Sequence, residues 1–179
     1  DIMKRAFDAG YTISRRGLVL REGESLGGLE VPAGSLGIAT ICSITLDGML
    51  LKSGIPVLTS FAGLAQVREG QAVGFIDLIA YAGSSLDPVK VFMSRKATSI
   101  SAAISTGTGA LLANVREVPA GAEERVRALL DDYQAAGFAG LAEIGQESEP
   151  LLGCPVGPGK IGIAFYAGVN GVMAAEEMG

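Results

Sequence analysis

The feature that most constrains this chain is that part of it occurs twice. Shifted by 125 residues against itself, the sequence aligns Gly34, Gly37, Ile38, Ala39 and Gly54 with Gly159, Gly162, Ile163, Ala164 and Gly179, without a gap. Leu36 meets Ile161, and Ile44 meets Val169. Leu26, Gly28 and Val31 meet Leu151, Gly153 and Val156, and after a two-residue slip Ala9-Gly10-Tyr11 meets Ala136-Gly137-Phe138. Single matches between glycines and apolar residues mean little, but their collinear order points to an internal duplication. The expected organisation is one domain with a first half at about 1–56, a connection at about 57–119 and a second half at about 120–179.

A chain of 179 residues suits one domain that buries roughly 70% of its unfolded surface. Charged residues are 18% and hydrophobic ones 49%, the balance of a folded, core-rich protein and not of a disordered one. The net charge of −5 and the scattered Lys and Arg exclude a chain that grips nucleic acid by itself. Cys42 and Cys154 sit in unrelated contexts with no disulfide framework, which favours a reducing interior. The longest uncharged run, Ile161 to Ala175, is too short for a membrane span of about 20 residues. A soluble, cytoplasmic protein is expected. The ends suggest a fragment of a longer one.

Helices are expected at Ile2–Ala9 before Gly10, from Ser43 or Thr45 to Lys52 before Gly54, from Asp87-Pro88 onward, and at Ile100–Ser105, Glu123–Ala136 and Asn170–Met178. Strands are expected at Gly17–Glu22, Leu36–Cys42, Val57–Val67, Ala72–Tyr81, Ala110–Val118, Phe138–Ile144 and Lys160–Tyr166. The apolar Leu36–Cys42 run predicts a fully buried strand. Arg68-Glu69-Gly70-Gln71 predicts a hairpin turn within the connection. Alternating helices and strands make the fold class α/β, of the mixed α+β two-layer kind.

The chain has no histidine, so Ser-His and Cys-His nucleophiles and histidine-bound metals are excluded. No cofactor is expected. Cys42 precedes a helix and is either a stabilised thiolate or a small core residue, with the core reading ahead. Cys154 packs. Thr106 to Gly109 and Gly153 to Gly159 are turns and match no phosphate-binding fingerprint. Two hydroxyl-rich clusters remain. One is Thr59-Ser60-Phe61-Ala62-Gly63; the other is Gly83-Ser84-Ser85-Leu86-Asp87-Pro88, with Arg95, Lys96, Thr98 and Ser99 downstream. Hydroxyls, open amides and cations suit a small anion, while helix capping beside a solvated basic turn is the plainer explanation. Asn114, Arg116 and Glu117 end a strand as a salt-bridged terminus or as ligand contacts.

In CSITLDGMLLKSGIPV, TSFAGLAQV, AYAGSSLDPVKVF and ANVREVPAGA, occurring in that order, the chain resembles the effector domain of the NrpR-type nitrogen repressors. The resemblance spans about Val31 to Gly179. It implies a dimeric, cytoplasmic transcriptional regulator, with a winged-helix DNA-binding domain outside this chain and 2-oxoglutarate as inducer. It also implies a ligand site at Ser60, Phe61, Gly63, Ser84, Ser85 and Asp87. Charge logic adds Lys52, Arg95 and Arg116 as carboxylate partners. Ala62 departs from the family's glycine pair, which loosens the expectation of close backbone approach there. Other readings are an enzyme acting on a small anionic metabolite through Cys42 or the Asp87 region, and a ligand-free dimerisation module.

Overall fold

The computed structural model describes residues 2–179. The chain begins with helix α1 (Ile2–Asp8), strand β1 (Gly17–Leu20), the short strands β2 (Ser25–Leu26) and β3 (Leu29–Glu30), strand β4 (Gly37–Thr40) and helix α2 (Ile44–Lys52). The connection contributes strands β5 (Leu58–Arg68) and β6 (Gln71–Ala80), helices α3 (Pro88–Ser94) and α4 (Ile100–Thr106), and strand β7 (Gly109–Pro119). Helix α5 (Glu123–Ala135), strands β8 (Leu141–Ile144) and β9 (Lys160–Tyr166), and helix α6 (Asn170–Glu177) complete it. Every strand pairing is antiparallel, and the fold is mixed α+β.

Local chemistry accounts for most element ends. Glu69 and Gly70 both adopt positive φ, which closes the β5–β6 hairpin with a two-residue turn. The Asp87 carboxylate accepts the Val89 N–H at 3.0 Å, with Pro88 in the first turn of α3. Gly107 ends α4 in the left-handed conformation. Helix α5 buries Val126, Leu130 and Tyr133 on one face, and Arg127 pairs with Glu123 one turn away at 2.8 Å.

Strands β6-β5-β7-β9-β8 form one curled sheet. Its edge strands approach one another, and the Phe75 N–H at one edge donates to the Leu152 carbonyl at 3.0 Å. On one face, Val118, Ile161, Ile163 and Phe165 pack with Leu46 and Leu50 of α2 and with the apolar face of α5. On the other, Val115 and Ala164 pack with Leu151 and Cys154. Cys154 is fully buried, as expected, and burial pushes its thiol up to about 12.

Strands β1 and β4 form a separate two-stranded ribbon, joined to no strand of the five-stranded sheet. The expectation of a fully buried strand at Leu36–Cys42 is therefore corrected. Ile38 and Leu36 are exposed, because β4 pairs only with β1 and one edge faces no other strand among the described residues.

Equivalent residues at the 125-residue spacing share backbone geometry. The register Leu18↔Ala39 and Val19↔Ile38 recurs as Glu143↔Ala164 and Ile144↔Ile163. The bridge Leu26↔Leu29 recurs as Leu151↔Cys154. Between those partners, Gly27 and Gly28 have φ of 58° and 81°, and Leu152 and Gly153 have 53° and 80°. The helices cross over: α1 packs on α6, and α2 on α5.

Asn170 fastens this crossing. Its buried amide accepts from Leu112 N–H at 3.2 Å and donates to the Tyr11 and Leu112 carbonyls, each at 2.9 Å. Asn170→Ala strands the Leu112 N–H and the Tyr11 carbonyl, while the Leu112 carbonyl keeps the Ala167 N–H at 2.8 Å; a loss of about 3 kcal/mol is expected, seen as a melting-temperature drop of about 6–12 °C. A second latch joins α6 to α4. The Glu177 carboxylate accepts from Thr98 Oγ1, the Ile100 and Ser101 N–H groups and Ser101 Oγ, at 2.7–2.9 Å. Burial acts to raise its pKa, but these donors outweigh burial and hold the carboxyl below the usual range. Its contribution is present above the unfolded-state pKa and lost as pH falls through the lower folded one. Glu177→Gln should therefore melt below the parent at pH 7, with the gap closing as the pH falls below about 4.5.

Candidate functional site

The start of α2, the outer end of β5, the start of α3, the middle of β7 and the β9–α6 loop enclose a cavity of about 530 Å³. That volume lies within the about 300–1,000 Å³ typical of small-molecule sites. Thr40, Cys42, Ser43, Asp47, Thr59, Tyr81, Asp87, Lys90, Asn114 and Arg116 supply its polar groups. Ile44, Val89, Met93, Ala167 and Val169 supply apolar wall.

Arg116 dominates the floor. Alternation along β7 puts Asn114 and Arg116 on the face that α2 covers. The guanidinium is 2% exposed and lies above the Phe165 ring, 5.9 Å from its centroid. Its Nε is ion-paired to Asp47, and its Nη2 donates to Ser43 Oγ at 3.0 Å. Its Nη1 is buried with no partner. A buried, unmatched N–H of a permanent cation is costly and marks a position for an anionic acceptor.

Ser43 precedes α2 but does not cap it. Its hydroxyl donates to Asn114 Oδ1 at 3.1 Å and accepts from Arg116, so the sequence-based capping role gives way to the arginine network. In the first turn of α2 the Thr45 and Leu46 N–H groups donate instead to the Cys42 and Ser43 carbonyls, at 3.1 and 3.0 Å. Asn114 Nδ2 donates to the Tyr81 hydroxyl at 3.3 Å. Burial raises the Tyr81 pKa, outweighing Asn114's hydrogen bond, so the phenol stays protonated at neutral pH and keeps a proton to donate. At Gly168 a Cβ would collide with the Ile41 carbonyl oxygen, so only glycine lets the β9–α6 loop meet the end of the β1–β4 ribbon. The site thus holds two cations, Arg116 and Lys90, matched in number by Asp47 and Asp87, with neutral donors and an apolar wall; the open Nη1 of Arg116 is the group that suits a small carboxylate.

The profile of the NrpR regulatory domains NRD1 and 2 matches residues 1–179. The chain belongs to that family. It is 43% identical over all its residues to the global nitrogen regulator NrpRI of Methanosarcina mazei, spanning 55% of that protein. It is 29% identical over 177 residues to the global nitrogen regulator NrpR of Methanocaldococcus jannaschii, spanning 28% of it. A solved nitrogen repressor-like protein from Methanococcus jannaschii superposes with a TM-score of 0.79 at 30% identity, over 99% of this chain and 70% of that one.

Within this NrpR regulatory domain, Asp87 and Arg116 are the sequence-derived candidates that line the cavity. Ser60 donates to the Val115 carbonyl at 3.2 Å, and Phe61 packs against the buried cluster of Val115, Leu151, Cys154 and Ala164. Gly63 lies inside the hairpin, where a Cβ would collide with the Asp77 carbonyl; its close approach is to β6. Ser84 bonds to Leu86 in an exposed turn, with Ser85 exposed beside it. Arg95 pairs with Asp77 at 3.2 Å, and Lys52 is exposed at the far end of α2.

Cys42 is exposed and lines the cavity, which corrects the expectation of a core residue. Lys90, Tyr81 and Asp47 were not singled out as ligand candidates by sequence reasoning, whereas Asn114, left open as a ligand contact, does line the cavity. For Lys90 a signal existed, since it lies within the first turn of the helix that Asp87 caps.

The Arg116–Asp47 pair ties β7 to α2. Breaking a largely buried ion pair from one side leaves the other charge stranded, so Asp47→Asn should cost about 2–4 kcal/mol. The double variant Asp47→Asn with Arg116→Met should recover much of that loss in a double-mutant cycle of denaturant unfolding. Additive losses would show that the pair does not couple strand and helix.

Proposed function

We propose that this chain is the ligand-sensing part of a transcriptional repressor of nitrogen genes, with 2-oxoglutarate as the effector bound in the cavity. The observation that carries this reading is the unpartnered Nη1 of buried Arg116, in a cavity that also holds the Lys90 ammonium. One ligand carboxylate takes Nη1, the other takes Lys90, and the Tyr81 hydroxyl supplies a further donor. The names of the relatives support a regulatory role over a catalytic one. DNA is reached through a winged-helix domain outside this chain, and the intact regulator acts as a cytoplasmic dimer.

Signal transfer follows from where the ligand sits. Arg116 holds α2 through Asp47, so an anion that engages the same guanidinium changes how firmly β7 and α2 are joined. It can shift the regulator only as far as its affinities for the two arrangements differ.

Thermal unfolding with and without 2-oxoglutarate tests the proposal. At a hundredfold excess over Kd, binding adds about 2.7 kcal/mol, or a rise of about 5–10 °C for a domain of this size. Lys90→Ala, at an exposed position, should leave the ligand-free melting point in place and weaken binding about ten- to hundredfold. No response to 2-oxoglutarate or to related dicarboxylates would sink the sensor reading.

A further inference from the structure

The β1–β4 ribbon is built like the β8–β9 ribbon and differs from it in one respect. Strand β9 is covered along its second edge by β7, in the register Val118↔Ile161 and Arg116↔Ile163, whereas β4 has no such strand among the described residues. The apolar residues feel the difference. Leu36 is 61% exposed where Ile161 is 0%, and Ile38 is 38% exposed where Ile163 is 0%. Leu29 is 79% exposed where Cys154 is 0%. An open strand edge beside exposed aliphatic residues is a pairing surface.

We infer that β4 is the seat for a second module built like residues 57–119, whose last strand pairs with β4 as β7 pairs with β9. The module is carried by the part of the longer family proteins that this chain does not span. Three observations support that occupant. The ribbon with the same register is already seated on such a strand within this chain. A second copy of the chain has no equivalent strand to lend, because both edges of β7 are taken, one by β5 and one by β9. The solved relative, which shares the fold over nearly all of this chain, continues for a further 30% of its own length.

The cavity points the same way. Its walls include Cys42, Ser43 and Ile44 together with Ala167, Gly168 and Val169, which are equivalent residues at the 125-residue spacing. The cavity therefore sits between the two related halves. The module at 57–119 walls one side of it with Tyr81, Lys90 and Arg116; the second module faces it from the opposite side and completes it. This inference stands on the repeat and is independent of which ligand binds.

The test compares this chain alone with a chimaera in which it replaces the matching stretch of the M. mazei regulator. Amide hydrogen exchange of β4 is expected to slow by at least about tenfold in the chimaera. Ile38→Asp should leave the melting point of the chain alone unchanged and lower that of the chimaera by several degrees. Equal β4 exchange in the two proteins overturns the inference. Slow exchange in the chain alone that strengthens with concentration also overturns it, by placing a second copy on β4. If the chimaera does not fold, the aspartate is placed at the aligned position of the M. mazei regulator itself, where an unchanged melting point overturns the inference.

Discussion

The site depends on a full positive charge held in the middle of the sheet. A guanidinium that is almost entirely buried persists only if its hydrogen bonds are met, because its charge cannot be relinquished at any physiological pH. Asp47 and Ser43 at the start of α2 and the Phe165 ring of β9 supply most of what it needs. Those contacts determine where the start of α2 lies over β7. They also draw the Ser43 hydroxyl away from the α2 amides it would otherwise cap. One buried charge thus positions a helix and leaves one donor unmatched at the same cavity.

Around that charge the architecture is a frame with two related corners. Each corner has a helix, a two-stranded ribbon whose connection carries a tight left-handed turn, and a second helix after a three-residue loop, Ile41-Cys42-Ser43 in one and Ala167-Gly168-Val169 in the other. The single-copy segment between them supplies the long hairpin, the capped helix α3 and the strand that carries Arg116. The frame contributes rigid geometry, and the segment contributes much of the polar chemistry. Gly168 shows how closely the two are fitted, since no side chain fits between it and the Ile41 carbonyl.

What was legible in the sequence is what local chemistry controls. The strand Lys160–Tyr166 was legible to the residue, as an apolar run after glycines; the Asp87-Pro88 start of α3 was legible from its cap, and α5 from its apolar stripe. Burial and partnership were less so. Leu36–Thr40 and Ile161–Phe165 have nearly the same apolar character, yet one is covered and one is open, because coverage depends on which distant strand lies alongside. The cations show the same limit. Arg95 and Lys90 stand five residues apart on or beside one short helix, so rotation about its axis sends one to Asp77 and the other to the cavity. Ser43 looked like a cap because its neighbours are helical; the buried arginine that competes for its hydroxyl lies 73 residues away.

The crossed packing of the helices sets an order of events during synthesis. Within this chain helix α1 precedes every other element and rests on α6, which follows all of them, while Tyr11 and Thr12 just after α1 are bonded to Asn170 and Gly168. Helix α1 must therefore wait until the residues up to α6 have been made before it finds its place. Until then α1 and the open ribbon expose apolar surface together, the kind of intermediate that chaperones hold and that truncation would trap.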